Sequence, residues 1–343
     1  MDTRYSILRP LNAEEQEMFA IYICNFFSPM NYRKNCELLK IELDDKCIRP
    51  LSLGNFLNYL KLEAGVDAYK YMRHIEMLIQ KFVNNALLIN AGNSGEGSPP
   101  FNRCYYAQFE LTEAEKPNLF WLGRVIGEEY LIEKYRPYIV RFEGEYRTET
   151  GGSGTGSGIL INANTVLTCR HNLTDLERFS CFLGEMPLEI QNVQCHDKHD
   201  IGIVRLSSDI NISTTFPYFG QPYVLDSIVT LGYPPLRGMR EAPMICQKGE
   251  INAISKDWNN ADCITISSIV RPGNSGGPVI SRHGYIVGIV TQSANSVSRA
   301  STDKSQFNDN HALPFYNAIA STEIVNIISE LDSSMPVVFE NYQ

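Results

Sequence analysis

The sequence predicts an α+β chain in which a mainly helical N-terminal domain, residues 1–136, precedes an all-β domain, residues 137–343. Apolar residues recur at helical spacing in the first ninety residues, whereas short β-prone runs separated by turn residues follow Tyr138. The length of 343 residues supports two domains, since one domain usually takes roughly 100–200 residues. Hydrophobic residues make up 43% of the chain, which is enough for each part to bury a core and excludes a disordered chain.

Polar N-caps predict three helices in the N-terminal domain. Asn12 starts the first helix, where Glu15 completes a capping box, and Pro29 ends it because proline cannot continue the hydrogen-bond ladder. Two further caps are Ser52, before a helix over residues 53–64, and Asp67, before a helix over residues 68–89.

The composition then changes between the two domains. Residues 92–100 are rich in glycine and proline and predict a connector. A strand over residues 101–110 and a helix over residues 119–135 follow. Pro137 ends that helix, so we place the domain boundary after Arg136.

The second domain shows short strands between turns rich in Gly, Pro, Asn and Asp. The predicted strands cover residues 138–142, 158–162, 165–169, 201–206, 227–231, 264–269 and 285–290. Many short strands with little helix between them predict barrels or a sandwich rather than βαβ units. Residues 151–158 are expected to form a flexible loop entering the first barrel, since no Lys-Ser/Thr pair follows to make a phosphate loop. A mobile loop is expected over residues 294–310 and a helix over residues 321–331.

The charge distribution argues against nucleic acid as a partner. The formal net charge is −9; residues 1–136 contribute 16 basic and 18 acidic residues, net −2, and the remainder contributes 14 and 21, net −7. Neither part has the cationic excess that binding to a phosphate backbone requires.

The cysteines and the N-terminus predict a reduced, cytoplasmic location. The nine cysteines are an odd number and contain no CxxC pair, the usual spacing of a structural zinc site. The first residues lack the basic-then-apolar layout of a signal peptide, and the apolar run 19–27 is too short to span a bilayer. We therefore expect free thiols, no membrane association and an intracellular protein.

Three short segments contain the residues that predict chemistry. They are Val166-Leu167-Thr168-Cys169-Arg170-His171, then His199-Asp200 before an apolar strand, and finally Arg271-Pro272-Gly273-Asn274-Ser275-Gly276-Gly277. A serine hydroxyl is a weak nucleophile that needs an adjacent base, and imidazole has a suitable pKa for that role. A buried carboxylate can fix the imidazole tautomer, and a glycine-rich turn can aim N–H groups at one developing oxyanion.

These segments make residues 138–330 resemble the chymotrypsin-like (trypsin-like) serine peptidases, in the compact style of HtrA/Deg and glutamyl endopeptidases. The order is the family's, and gaps of 29 residues from His171 to Asp200 and 75 from Asp200 to Ser275 suit its compact members. The resemblance implies two β-barrels with an extended peptide in the cleft between them, and it implies no cofactor.

Carried over by motif, Ser275 is the nucleophile, His171 the general base and then acid, and Asp200 the residue that orients His171. The N–H groups of Gly273 and Ser275 form the oxyanion hole. Asn274 departs from the digestive enzymes, which have aspartate there to receive a new N-terminus after zymogen cleavage. Activation by N-terminal trimming is therefore not expected.

The same resemblance suggests a specificity pocket. Ile269, six residues before the nucleophile, matches the floor of the S1 pocket, which implies a neutral, aliphatic residue at the cleavage site. Thr291, Gln292 and Ser293 match the edge that pairs with substrate backbone.

Some alternatives stay open for residues near the motifs. Asp197 competes with Asp200 as the triad acid, although only Asp200 directly precedes the apolar strand. His196 and His199 are expected at the surface, and with Cys195 they only faintly resemble a metal cluster, because no further ligands are evident.

Two function hypotheses follow. The first is an intracellular serine endopeptidase whose residues 1–136 regulate it or recruit it through a protein partner. Residues 1–136 resemble no family, and a winged-helix-like fold is one interpretation of them. By analogy alone, such N-terminal modules occur in bacterial defence and signalling systems. The second is a latent protease-fold scaffold, active only within a complex.

Overall fold

The computed structural model divides the described chain into two compact units. The first contains Met1–Thr112 and Arg124–Gly127, and the second contains Glu113–Gly123 and Glu128–Gln343. The described residues are 10–43, 47–95, 97–108, 111–112, 115, 117–147, 152–212, 215–236, 238–239, 242–293 and 315–341, with the side chains of residues 292 and 293 left out.

The first unit combines helices with a small sheet. Its helices are α1 (Ala13–Phe27), α2 (Tyr32–Leu39), α3 (Leu53–Glu63) and α4 (Met72–Asn84). Its strands are β1 (Leu51–Ser52), β2 (Leu88–Asn93) and β3 (Arg103–Ala107), in the antiparallel order β1-β3-β2. The rings of four aromatic residues pack against one another in its core, mostly in tilted or edge-on pairs: Phe26, Phe27, Phe56 and Tyr59.

Two of the three predicted helix starts in this unit are confirmed. Asp67 instead precedes a 3-10 turn over Ala68–Tyr71 and makes no side-chain cap, so that α4 starts at Met72. Asn12 and Ser52 both cap their helices through complete capping boxes. The helix predicted to reach residue 89 ends at Asn84, since Ala86 has a left-handed φ of 56° that turns the chain into β2.

Two short helices and a seven-stranded antiparallel sheet come next in the chain. The helices are α5 (Gly123–Ile126), which the division assigns to the first unit except for Gly123, and α6 (Glu128–Tyr135). The strands are β4 (Ile139–Tyr146), β5 (Ser153–Asn162), β6 (Thr165–Thr168), β7 (Leu176–Leu183), β8 (Met186–Leu188), β9 (Ile190–Cys195) and β10 (Gly202–Leu206), with α7 (Arg170–Thr174) after β6. Their order is β8-β7-β4-β5-β6-β10-β9. Only Glu189 separates the two edge strands in sequence, so the sheet curls back on itself.

The remaining strands form a closed barrel. They are β11 (Phe219–Gly220), β12 (Ser227–Gly232), β13 (Ile245–Lys256), β14 (Asp262–Ile266), β15 (Pro278–Ser281), β16 (Ile286–Ser293), β17 (Tyr316–Ala320) and β18 (Phe339–Glu340), and α8 (Ser321–Leu331) follows β17. Their order is β15-β12-β13-β14-β17-β16-β11-β18, and a further pairing of β15 with β16 closes a ring of six strands. The predicted α+β fold class and the terminal helix are therefore confirmed.

Two sequence predictions in this unit differ from the structure. The loop expected over residues 151–158 is part of β5 from Ser153 onward, because its glycines are sites of close packing: a Cβ at Gly156 would meet the Asn172 side chain. The helix predicted over residues 119–135 is broken at Gly127, whose φ is +118°. The loop predicted over residues 294–310 lies outside the described residues.

The second unit also begins earlier than the boundary drawn after Arg136. Phe120 and Tyr135 belong to its hydrophobic core and lie 4.7 Å apart between ring centroids. The Tyr135 hydroxyl donates to the Gly284 carbonyl at 2.9 Å, and a Cβ at Gly284 would collide with the Phe120 carbonyl. These aromatic residues fix the segment before β4 to the second barrel, which is why the compact unit starts at Glu113.

Within the described part of the chain, no helix is both long and apolar enough to cross a membrane.

Replacing Phe120 by alanine is expected to destabilise the second unit by about 3–5 kcal/mol, the usual cost of emptying a fully buried phenylalanine site. Hydrogen exchange followed by mass spectrometry should show faster exchange in β15 and β16. Phe82→Ala, a matched change in the core of the first unit, should instead affect α4. Exchange unchanged in the second unit of the Phe120 variant would contradict the assignment of this segment.

Candidate active site

The strand register brings His171 and Asp200 together. In the antiparallel pair β6–β10, Thr168 lies opposite Gly202. Residue 171 emerges three residues after β6 and residue 200 two residues before β10, so both leave the sheet at the same end. His171 lies on α7, and Asp200 ends the loop that precedes β10.

His171 and Asp200 form a closely fitted pair. His171 Nδ1 lies 2.8 Å from Asp200 Oδ2 and 3.0 Å from Oδ1, and the His171 backbone N–H donates to Oδ1 at 3.0 Å. The Thr291 hydroxyl donates to Asp200 Oδ2 at 2.6 Å. Three donors therefore fix the carboxylate, and because a carboxylate only accepts, His171 carries its proton on Nδ1 and leaves Nε2 as the basic atom.

The pair also shifts both pKa values. Burial alone would lower the pKa of His171, but the hydrogen bond and negative charge of Asp200, with a contribution from Asp175, raise it above its usual 6.5. Burial would raise the pKa of Asp200, but hydrogen bonds and charge from His171 and the Thr291 hydroxyl lower it below 3.8. Asp200 is therefore ionised at neutral pH.

Ser275 lies on a tight turn before β15 that depends on glycine. Gly273 and Gly276 have φ values of +97° and +86°, a region that side chains disfavour. A Cβ at Gly276 would collide with the Ser157 carbonyl. Among the described residues, neither the Gly273 nor the Ser275 N–H donates a backbone hydrogen bond, so both are available to an oxygen atom in the cavity.

Two residues outside the second barrel hold this turn, Ser157 on β5 and Asn172 on α7. Ser157 Oγ donates to the Gly273 carbonyl at 2.6 Å and accepts from the Tyr233 N–H at 2.8 Å. The Ser275 carbonyl accepts from the Ser157 N–H at 2.9 Å and from Asn172 Nδ2 at 2.8 Å. Ser157 and Asn172 therefore set the backbone orientation of the turn.

The Ser275 hydroxyl donates to the Thr291 carbonyl at 3.2 Å. Within the described residues it makes no hydrogen bond to His171. The three predicted residues thus share one site, but the nucleophile and the base are not hydrogen-bonded in this conformation.

A cavity of about 230 Å³ is lined by both His171 and Ser275. Its described lining consists of Tyr146, Thr155, His171, Asn172, Asp175, Leu176, Val270, Arg271, Pro272, Gly273, Ser275 and Thr291. A neighbouring cavity of about 420 Å³ is lined by His171 and Asp200 and extends to Trp258, a residue that is 90% exposed.

The residues predicted for the specificity pocket are only partly brought to the site. Thr291 lines both cavities, but Ile269 is 47% exposed and is absent from their described lining. Its neighbour Val270 lines the cavity instead, with Leu176. Gln292 and Ser293 lie in β16, and their side chains are outside the described residues.

His196 and His199 differ from their predicted place on the surface. Their side chains are 12% and 11% exposed, and they pair with Glu330 at 3.0 Å and Glu323 at 3.6 Å, both on α8. They anchor the loop that carries Asp200 rather than forming a metal cluster with Cys195.

Cys169 is a second candidate for a metal cluster, because its sulfur atom, His171 and Asp200 offer ligand atoms within 4.8 Å of one another. His171 Nδ1 and Asp200 Oδ2 are hydrogen-bonded at 2.8 Å, and Cys169 Sγ donates to the Val290 carbonyl at 3.2 Å. These hydrogen bonds engage the three candidate ligand groups with protein partners, and burial holds the pKa of the Cys169 thiol well above its usual value.

Comparison with known proteins identifies the domain that holds this site. Residues 156–289 match the family described as a trypsin-like peptidase domain. This match confirms the resemblance drawn from the three motifs.

Two curated relatives match part of the chain. An uncharacterised protein, y4bJ, of Sinorhizobium fredii is 26% identical over 150 residues, which covers 43% of this chain and 23% of that protein. A serine protease DegP homolog of Plasmodium falciparum is 30% identical over 156 residues, which covers 42% of this chain and 17% of that protein. The chain thus spans less than a quarter of the length of either relative.

Solved structures of similar fold include two bacterial proteases. The active form of the Rv3671c protease of M. tuberculosis has a TM-score of 0.48 at 18% identity, covering 67% of this chain and 95% of that one. The serine endoprotease of Yersinia pestis has a TM-score of 0.45 at 18% identity, covering 60% and 66%.

Asp200→Asn is expected to lower the pKa of His171, because it removes the charge that outweighs burial. NMR titration of the His171 imidazole should place its pKa above 6.5 in the native protein and lower in the variant. Asp175→Asn, which removes a more distant charge, should shift it less. An unchanged His171 titration in Asp200→Asn would show that the pair is not coupled.

Proposed function

Since residues 156–289 are a trypsin-like peptidase domain, the domain of serine endopeptidases, we propose that this protein hydrolyses peptide bonds with Ser275 as nucleophile, His171 as base and acid, and Asp200 as the orienting carboxylate. The observation that carries the proposal is the 2.8 Å contact of His171 Nδ1 with Asp200 beside a cavity that Ser275 also lines.

The proposed reaction is acyl transfer in two steps. Nε2 of His171 takes the Ser275 hydroxyl proton as Oγ attacks the scissile carbonyl, and the C–N bond then breaks as His171 protonates the leaving amine. His171 next removes a proton from water, whose oxygen attacks the acyl carbon, and returns that proton to Ser275 Oγ as the acyl C–O bond breaks and the acid is released. No cofactor takes part.

Charge develops at two places in these steps. The oxyanion would accept from the Gly273 and Ser275 N–H groups, whose orientation Ser157 and Asn172 fix. The imidazolium would be stabilised by Asp200, which three donors hold in place and which its lowered pKa keeps ionised.

The proposed substrate is an extended protein or peptide segment. The edge of β16 at residues 291–293 is suited to pair with its backbone, as in β-augmentation. Val270, which lines the same cavity as Ser275, favours a neutral, aliphatic residue at the cleavage site. The cavity that extends to Trp258 offers room for further residues of the same segment.

Residues 1–136 are proposed to regulate the peptidase or recruit a protein partner to it, in the manner of multi-component bacterial defence or signalling systems. We further propose a cytoplasmic location, which is supported by the lack of a disulfide bond between any of the nine cysteines in the described chain.

A latent scaffold is the second candidate function. The observation that favours it is the Ser275 hydroxyl, which donates to the Thr291 carbonyl instead of His171. In a latent protein, a partner would have to move this hydroxyl before cleavage begins. Cleavage by the isolated protein distinguishes the two functions.

The native protein is expected to cleave a peptide library, and Ser275→Ala is expected to lose cleavage at every site, because no other hydroxyl lies on the glycine turn. Mass spectrometry of the products gives both the rate and the residue preference. Equal cleavage by the variant would refute the assignment. No cleavage by either protein, restored by a candidate partner, would support the latent scaffold.

Ser157→Ala is expected to lower kcat about 10- to 100-fold while KM changes less than about twofold, because the hydroxyl acts through the oxyanion turn rather than through substrate binding. Ser153→Ala removes an exposed hydroxyl from the same strand and serves as the control. Steady-state kinetics on one library-derived peptide measure both constants. A change confined to KM would contradict this positioning role.

A further inference from the structure

A basic groove crosses one face of the first unit. The cavity measures about 540 Å³, within the range of ligand sites. Its described lining consists of Pro10, Leu11, Gln16, Lys70, Arg73, His74, Met77, Leu78 and Lys81, and we call this set the basic groove. It lies wholly in the first unit and is separate from the peptidase site.

The groove follows helical spacing. Lys70 precedes α4, and Arg73, Met77 and Lys81 succeed one another on α4 at intervals of four residues, so they share one side. Met77 is 57% exposed between the cations, and Leu78 lies buried beside it. The surface is therefore an apolar strip with a positive charge at each end.

Within the part of the chain that the structure describes, no carboxylate neutralises the cations of the groove. Among the described residues no carboxylate lines the groove, and Arg73 forms no ion pair. The Lys70 ammonium lies 5.0 Å from the Tyr71 ring, and Lys81 donates to the Ile126 carbonyl at 3.3 Å; neither partner is an anion. His74 Nδ1 is buried without a hydrogen-bond partner. Such a surface stands out on a chain of net charge −9.

The spacing of the charges distinguishes between possible anions. Lys70 and Lys81 are eleven residues apart, which corresponds to roughly 16 Å along a helix. A single phosphate group cannot reach both, whereas a peptide with several carboxylates can.

Residues 1–9 are a poor match, because Arg4 and Arg9 outnumber Asp2. Charge complementarity therefore selects an acidic segment from another protein.

From these observations we propose that the basic groove binds an acidic peptide segment of a partner protein, with an apolar side chain seated between Met77 and Leu78 and carboxylates placed toward Arg73 and the two lysines. The proposal rests on the partner-binding role given above to residues 1–136, and it specifies the chemistry of the partner. Contact of the groove with several carboxylates makes the binding dependent on salt.

The test uses full-length Ser275→Ala, which cannot consume the probe, to select from a displayed library of random 16-residue peptides. The selected peptides should be acidic with a central apolar residue. Fluorescence anisotropy should then show that Arg73→Glu and Met77→Asp each weaken binding of the best peptide at least tenfold. Added salt should also weaken this binding. The control Lys61→Glu, an equal charge change on α3, should alter the affinity less than twofold.

Several outcomes would overturn the proposal. The first is that the selected peptides lack acidic residues, and the second is that Arg73→Glu binds the best peptide as tightly as its parent does. Self-association that Arg73→Glu abolishes would assign the groove to a second copy of the chain. Capture of residues 1–9 by a photo-cross-linker at position 77 would assign the groove to the chain's own N-terminal segment. Arg73→Glu with the native Ser275 should keep its peptidase rate on a library-derived peptide. Failure of the groove and failure of the peptidase assignment are therefore distinguishable.

Discussion

Hydrogen bonds between the two sheets of the second unit hold its candidate active site together. The first sheet supplies His171 and Asp200, and the second barrel supplies Ser275. Ser157 and Asn172 cross between them: their N–H and amide groups meet at the Ser275 carbonyl, and the Ser157 hydroxyl reaches the Gly273 carbonyl. These groups are buried, so losing one partner leaves another polar group unsatisfied at a cost of about 1–3 kcal/mol. The contact therefore fixes the position of the nucleophile relative to the base.

The close approach of Ser157 and Asn172 to the Ser275 turn also explains why glycines occupy positions 156 and 276. Gly156 leaves room for the Asn172 side chain, and Gly276 lets the turn approach the Ser157 carbonyl. In sequence, the first lies in a run of glycine and serine that is typical of a flexible loop. In the structure the same run is a strand, and its small residues serve close packing between two sheets. The local composition of this segment thus predicts a loop, whereas its packing between the two sheets makes it a strand.

The sequence predicts what depends on nearby residues. The capping box at Asn12, the N-cap at Ser52 and the helix over residues 321–331 follow from local patterns. The three motifs indicate the site because they lie where the chain enters or leaves strands. Contacts between distant residues were not predictable: Ser157 and Gly273 are 116 residues apart. The domain boundary differs for the same reason, because Tyr135 belongs to the second unit through the core around Phe120 and through its bond to Gly284, far along the chain.

The central claim is that Ser275 is a nucleophile activated by the His171–Asp200 pair. Its most direct measurement is reaction of the native protein with a fluorophosphonate, followed by tandem mass spectrometry to locate the adduct. We predict one adduct, on Ser275, whose rate of formation rises with pH as His171 loses its proton. An adduct located on another residue, or a rate of Ser275 modification that does not depend on the protonation of His171, would contradict the account.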